Sequence, residues 1–388
     1  MPVNSLGVKA VVIGGGIIGA SVSWRLASEG LEVTMLERGR LGQEASWAAA
    51  GLIAPQAEAH EPGPFFDIAM EAKRSFDENI ERLTRESGVD PEYDEHGVLY
   101  VAFNSGTVED LKARAAWQQA GGGIVEELTA AEALKLAPTL SHEVVYALHM
   151  PTNRRTDNRK LTQAYINAAV NKGTQIREGA RVDAIIERGG KAAGVRLDDG
   201  STESADVVIV AAGAWSSEIR GLEQDGIRFY PVRGQIICFD ARPGVLAPSL
   251  FSGDGILVPR RDGRVIAGSI FEEAGFNKSV TMAGMEVILR AVRRLSPQLG
   301  AIPFREAWAG LRPATDDLVP VIGPSPTVSN VIYASGHFRS GILLSALTGE
   351  IVADLVKERR PRIDLKDVLP ARFREGRAQK VPLTLKAL

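Results

Sequence analysis

Lys9 to Glu37 reads KAVVIGGGIIGASVSWRLASEGLEVTMLE, an order of apolar run, glycines, helix former, second apolar run and acid that decides the fold. Ala10 to Ile13 is too short an apolar run for a helix and reads as a buried strand. It ends at Gly14, Gly16 and Gly19, which form GxGxxG. Gly14 allows the tight turn, Gly16 lets the backbone approach a pyrophosphate, and Gly19 lets the next helix pack on the strand. The spacing predicts that helix over Ile17 to Ser28, its N-terminal N–H groups and dipole facing the phosphates, with Gly30 as its stop. Leu31 to Leu36 is the second strand, which delivers Glu37 to a ribose diol about twenty residues past the glycines. A GxGxxG turn alone is a common tight turn, but strand, helix, strand and acid in this order make it a dinucleotide site. The acid at position 37 disfavours a 2′-phosphate and points to FAD or NAD over NADP. Arg38 beside it reads as a solvated charge.

The chain has 388 residues, 45% hydrophobic and 24% charged, which suits two intertwined or consecutive globular domains. A net charge of −3 and a pI near 6.1 leave no footprint for nucleic acid. Cys238 is the single cysteine, so no internal disulfide forms; in its apolar surroundings it reads as a small core residue. The five histidines stand apart and make no metal set. With no signal-peptide pattern at the start and no apolar run of bilayer length, the expectation is a soluble, cytoplasmic protein without a membrane span.

Further along, Ser46 to Leu52 is a small-residue run whose backbone can lie against a flat ligand or pack as a helix face. Phe65 to Gly88 is predicted as an amphipathic helix closed by glycine. Gly97 to Phe103 reads as a strand, and helices follow at Val108 to Gln119 and Ala130 to Ala137. Asn158 to Asn171 is a helix, Gln175 to Ile186 a long strand or a pair, and Gly194 to Asp199 a strand. Val207 to Val210 is a second buried run ending at Gly213. Phe229 to Phe239, Gly255 to Pro259 and Arg264 to Ile270 form an antiparallel sheet with a hairpin at Asp262–Gly263. Val280 to Leu295 is a helix, Trp308 to Pro313 is extended, Val331 to Ala334 is a strand, and Ile342 to Lys357 is a helix after a glycine-bounded turn.

The glycine motif with Glu37, the run Ala48 to Leu52, the helix opening Phe65-Phe66-Asp67-Ile68-Ala69-Met70, Trp308 to Pro313, and Gly336 to Leu343 together resemble the glycine oxidases. These are FAD-dependent enzymes of the D-amino acid oxidase superfamily associated with thiamine biosynthesis. The resemblance runs from the first strand to about residue 357.

It implies an α/β fold in which a Rossmann-like FAD-binding domain (residues 1–88, 155–225 and 305–360) interleaves with a substrate domain built on an antiparallel sheet with helices (89–154 and 226–304). Residues 361–388 are left as a basic, peripheral tail. FAD would be held without a covalent bond by Gly14, Gly16, Ile17, Ile18, Gly19, Glu37, Arg38, Ser46, Ala49, Ala50, Gly51, Leu52, Val182, Gly213, Trp215, His337, Arg339, Ser340, Gly341, Ile342 and Leu343. The substrate would meet Leu52, Asp254, Ile256 and Arg312, with Arg312 binding its carboxylate and Arg339 near the isoalloxazine face. His337 reads as a structural hydrogen-bonding residue and Trp308 as core.

The implied chemistry is hydride transfer from the Cα of glycine, sarcosine or a small D-amino acid, hydrolysis of the imine to an oxo acid and ammonia, and reoxidation by molecular oxygen to hydrogen peroxide. Orientation carries the catalysis, because a neutral amine needs no protein base. One position departs from the family: Ile256 stands where a tyrosine hydroxyl usually assists the arginine. That loss weakens carboxylate binding by roughly 1.5 to 3 kcal/mol unless another group replaces it. An amino acid dehydrogenase with another electron acceptor, a tRNA-modifying flavin oxidase and a flavoprotein without catalysis are the competing readings, and homo-oligomerisation is left open.

Overall fold

The first strand, Lys9–Ile13, is apolar on both faces because both are covered. Ala10 and Val12 point to one core, Val11 and Ile13 to the other. In this computed structural model, which describes residues 7–383, it lies inside a six-stranded sheet. The order is Val321–Pro324, Val331–Ser335, Val207–Val210, Lys9–Ile13, Glu32–Leu36, Gln175–Arg177. All neighbours are parallel except the edge pair of Val321–Pro324 with Val331–Ser335. Residues 1–6, expected to lead straight into the first strand, and 384–388, the end of the expected tail, lie outside the described residues.

Helices Ile17–Ser28, Pro64–Ser87, Asn158–Asn171 and Gly341–Val356 share a core on one side of this sheet. Gly88 ends the second of them in the left-handed conformation at φ 70°. The Asp157 carboxylate caps the third by accepting the N–H groups of Arg159 and Lys160. The other face is covered by a three-stranded antiparallel sheet of Val182–Arg188, Lys191–Leu197 and Thr202–Ser204. The stretch from Gln175 to Ile186 is thus a pair of strands, one in each of these sheets.

The second large sheet has eight strands, in the order Phe304–Ala314, Tyr230–Asp240, Arg264–Gly268, Gly255–Pro259, Ser249–Ser252, Val98–Ala102, Tyr146–Met150, Glu126–Thr129. It is antiparallel except where Ser249–Ser252 meets Val98–Ala102. Alternation splits its strands cleanly. Ile236, Cys238, Val258 and Trp308 face the small-residue run, while Ile237, Phe239, Leu257 and Val265 face helix Met282–Leu295. Cys238 is fully buried there.

The stretch after Pro361 departs from the expected peripheral tail. Leu365 and Val368 enter the helical core, and Arg372, 3% exposed, donates to the Asp317 carboxylate at 2.8 Å. Its basic residues read as solvated, yet a buried acid from another segment satisfies this arginine. Among the described residues no helix is long and apolar enough to cross a membrane.

Candidate active site

One cavity runs from the ends of the parallel strands to the face of the eight-stranded sheet. At its near end the glycine turn leaves no slack. A Cβ on Gly14, which has φ 107°, would stand 2.4 Å from the Ala211 carbonyl oxygen, and one on Gly19 would stand 1.9 Å from that of Gly14. Gly19 therefore serves helix–strand packing and does not line the cavity, whereas Gly14, Gly16, Ile17 and Ile18 do. The Ser46 hydroxyl accepts the Ile17 N–H at 2.9 Å; the N–H groups of Gly16 and Ile18 have no acceptor among the described residues. Glu37, buried, accepts from Gly15 N at 2.7 Å and from Gly39 N at 2.8 Å, which fixes its carboxylate at the cavity rim beside Leu36 and Val182.

The run from Ser46 to Leu52 is tied down by its carbonyls. Asn158 donates to those of Ser46 and Trp47, the Trp308 indole to that of Ala48, Arg260 to that of Ala50, and Thr156 N to that of Gly51. The N–H groups of Ala49, Ala50 and Gly51 have no acceptor among the described residues, and these three residues and Leu52 line the cavity. Trp308, expected as core, is 8% exposed and also props this run.

A third set of open donors begins helix Gly341–Val356. Ser340 is its N-cap but makes no side-chain cap; its hydroxyl donates instead to Glu58 Oε2 at 3.1 Å. The N–H groups of Gly341, Ile342 and Leu343 are left without an acceptor among the described residues, and Gly341 and Ile342 line the cavity. Burial raises the Glu58 pKa, against the opposing pull of Arg339, the Ser340 hydrogen bond and Arg312. Arg339 donates to the Glu58 main-chain oxygen at 2.5 Å and contacts His60 Nε2 at 2.9 Å. His60 meets Arg114 at its other ring nitrogen, 3.1 Å away, and desolvation together with the two guanidiniums pushes it down to about 3. His337 lines the cavity and bonds the Thr348 hydroxyl at 3.0 Å, and burial pushes it to about 3 as well.

At the far end stands Arg312, enclosed by protein and open toward the cavity. It donates to the Ile270 carbonyl at 3.1 Å and to the Ser269 hydroxyl, and its guanidinium lies 4.4 Å over the Phe271 ring. Burial, then Arg339, lower its pKa to about 10, so the site favours an anion. Ile256 also lines this end, paired with Gly268 and Phe251, and the tilted rings of Tyr100 and Phe251 lie 5.9 Å apart. Asp254 lines the cavity too, but its carboxylate is paired with Arg294 at 2.5 Å.

Between the two ends the cavity wall carries a clasp. Arg38 lies 3.6 Å over the Trp215 ring, and Trp215 packs on Phe276 at 5.3 Å. Lys278 reaches Glu44 at 2.9 Å, and Glu44 in turn pairs with Arg38. Arg38 is thus not a purely solvated charge. Gly213, at φ 57°, lines the cavity next to Trp215. Val182 and Leu52 also line it, while Leu343 and Ser340 stand just behind its wall.

Residues 9–355 match the family described as DAO, FAD dependent oxidoreductase. The chain belongs to this family. It is similar to the glycine oxidase of Bacillus licheniformis, 32% identical over 349 residues that cover 89% of this chain and 92% of that protein. The bifunctional protein ThiO/ThiG of Synechocystis is 34% identical over 370 residues; 94% of this chain is matched, spanning 54% of that longer protein. Among solved structures, the glycine oxidase of Geobacillus kaustophilus has a TM-score of 0.89 at 29% identity, covering 95% of this chain and 99% of that one.

The family's cofactor is FAD, and the residues present fit it. A fixed acid stands at one end, a glycine turn in which Gly14 and Gly19 admit no Cβ follows, and three sets of backbone N–H groups at the cavity have no acceptors among the described residues. Such groups are costly to leave bare and suit a ligand rich in acceptors. Several residues escaped the sequence reading. Tyr100 and Ser269 lie in segments read as strands, which marks the element but not the cavity, and Glu58, His60 and Phe271 lie in stretches that carry no periodic signal. Asn158 and Arg260 carried no signal beyond helix start and strand end, because their role is to hold carbonyls distant in sequence.

Proposed function

We propose that this chain oxidises glycine or another small amino acid, sarcosine and D-alanine included, at the Cα–N bond. The products are an imine that hydrolyses to an oxo acid and ammonia, or methylamine when the substrate is sarcosine, and hydrogen peroxide from molecular oxygen. The observation that carries this reading is Arg312: a guanidinium enclosed at the end of an FAD cavity, lowered in pKa by burial and by a second arginine, and open on the cavity side. FAD, when bound, supplies the acceptor for the hydride that leaves the substrate Cα.

This chain's own residues do the rest by orientation. Arg312 uses N–H groups for the Ile270 carbonyl and the Ser269 hydroxyl, and the remaining donors of its five are available to a carboxylate. The Ser269 hydroxyl accepts from Arg312 and keeps its own proton, which can go to the same carboxylate. It stands in for the hydroxyl absent at Ile256. Ala49 to Gly51 and Gly341 to Leu343 present N–H groups to the flavin, the latter with the positive end of a helix dipole. Gly16 and Ile18 serve the pyrophosphate, Glu37 the ribose, and Val182 the adenine end. Asp254 is given no substrate role in this reading, because its carboxylate is already paired with Arg294.

Residues 7–88, 155–225 and 315–360 then carry the cofactor, and 89–154 with 226–314 the substrate wall; the expected boundary at 305 moves because strand Phe304–Ala314, which bears Arg312, is the edge of the eight-stranded sheet. The lone buried Cys238 supports a reducing, cytoplasmic setting. The test is product analysis in air with glycine, sarcosine and D-alanine. Peroxide and oxo acid in equal amounts support an oxidase. Oxo acid formed only with an added electron acceptor supports a dehydrogenase instead.

A further inference from the structure

Arg260 follows strand Gly255–Pro259, sits behind the small-residue run and is 6% exposed. Its Nη2 donates to the Ala50 carbonyl at 2.8 Å and to Asn158 Oδ1 at 2.9 Å, and its Nη1 has no acceptor among the described residues. The charged groups around it are Asp157, Arg264, Arg155 and Glu92. Each of these already has an opposite charge: Arg264 bonds Asp157 and the half-exposed Asp262, Arg155 bonds Asp94, and Lys160 bonds Glu92. Arg260 is therefore a buried cation that no carboxylate bonds, an arrangement that is costly unless negative charge comes near it. Burial lowers its pKa to about 10, which still leaves it protonated at neutral pH.

Gly51 lines the cavity and Arg260 stands directly behind it. A Cβ on Gly51, which has φ 76°, would stand 3.0 Å from Arg260 Nη2 and 2.1 Å from the Thr156 carbonyl oxygen, so the guanidinium lies one backbone thickness from the cavity. The Ala50–Gly51 peptide is trans, and in a trans peptide the C=O and N–H point in opposite directions. With its oxygen clamped by Arg260, its N–H is turned away from the guanidinium, and that N–H has no acceptor among the described residues. A charged donor on the carbonyl also polarises the peptide and strengthens the N–H as a donor. We propose that Arg260 is a positioning residue: through the Ala50 carbonyl it aims the Gly51 N–H at the flavin, and its charge behind the wall favours the reduced, anionic flavin over the oxidised one. The inference rests on the reading that the flavin lies against Ala49 to Gly51. Arg260 acts through the Ala50–Gly51 peptide and is not itself a catalytic residue.

The test is the flavin midpoint potential of the FAD-loaded, full-length protein, measured against a redox dye under nitrogen, for wild type, Arg260→Gln and Arg260→Lys, with a melting curve for each. Arg260→Gln keeps an amide donor and loses the charge, so the reduced flavin should lose on the order of tenfold in stability relative to the oxidised, a fall of about 30 mV for a two-electron couple. Arg260→Lys keeps the charge and loses the guanidinium's fork, so its potential should stay near wild type even where its melting temperature drops. A merely structural role moves the melting temperature in both variants and the potential in neither, or in both alike. A wild-type potential in Arg260→Gln, or equal falls in Arg260→Gln and Arg260→Lys, overturns the proposal. If Arg260→Gln does not hold FAD, Arg260→Met, which brings no polar group of its own into the site, is the neutral variant and the same two outcomes decide. No amino acid enters these measurements, so a wrong substrate reading leaves their outcome untouched.

Discussion

Arg312→Met removes the carboxylate anchor while keeping a side chain of similar reach over Phe271. Two charge-assisted hydrogen bonds to a carboxylate, at roughly 1.5 to 3 kcal/mol each, put the loss in kcat/KM for amino acids at about 10² to 10⁴-fold. The structure argues for the upper part of that range. The guanidinium is already fixed by the Ile270 carbonyl and the Ser269 hydroxyl, so little ordering is left for the substrate to impose. Arg339 lowers the Arg312 pKa, and a bound carboxylate relieves that repulsion. The same features make the arginine a poor contributor to stability. An enclosed cation near a second cation is exchanged for an apolar side chain, so the melting temperature of the free protein should hold or rise. The assay is steady-state kinetics on glycine and on amines without a carboxylate, with the flavin spectrum and melting curve recorded alongside. Selective loss for amino acids, with FAD retained, is expected. Equal losses for both substrate types, unchanged glycine turnover, or loss of FAD would refute the anchor role.

Other substitutions probe the rest of the site. Ser269→Ala should raise the KM for glycine on the order of tenfold, and Ile256→Tyr in that background should recover part of it; steady-state kinetics that show no change in Ser269→Ala remove the hydroxyl from the anchor. Gly19→Ala should abolish soluble holoprotein, since its Cβ would stand 1.9 Å from the Gly14 carbonyl oxygen, whereas Gly213→Ala has open space and pays only about 1 to 2 kcal/mol for φ 57°, seen as a modest drop in melting temperature. Phe276→Ala should speed FAD release, followed by fluorescence, and salt should add to the effect in wild type by screening the exposed Lys278–Glu44 pair. His337 is buried neutral with a pKa of about 3 against 6.5 when free, so the unfolded chain binds the extra proton. Its contribution is fully present above pH 6.5 and is lost as pH falls toward 3, on the order of 5 kcal/mol, so His337→Asn should flatten the acid limb of the stability curve measured by denaturant titration.

The dinucleotide half of the site was legible because its constraints are local. Strand, glycine turn, helix and Glu37 succeed one another within one segment, and the period of the apolar residues assigns each to its element. Helices Ile17–Ser28 and Asn158–Asn171 fall on their predicted bounds because each has a local start and stop. The short strands Glu126–Thr129, Ser249–Ser252 and Val321–Pro324 were not legible. They owe their existence to neighbours in the sheet, and four residues carry too little alternation to reveal it. The tail misled for a related reason, since the burial of Arg372 depends on Asp317, 55 positions away. At the substrate end, Arg312 and Ile256 came from the family resemblance. Glu58, Ser269 and the props of the small-residue run required coordinates, because each acts on a group far away in the chain.

The most direct measurement is titration of the FAD-loaded protein with glycine, sarcosine and D-alanine under nitrogen, following the visible flavin absorbance, in wild type and in Arg312→Met. Amino acid oxidation anchored by Arg312 predicts complete bleaching in wild type by at least one of the three, little or none in the variant at the same concentrations, and recovery of colour with peroxide release when oxygen is admitted. A wild-type flavin that none of them bleaches, or a variant that bleaches as readily as wild type, would contradict it.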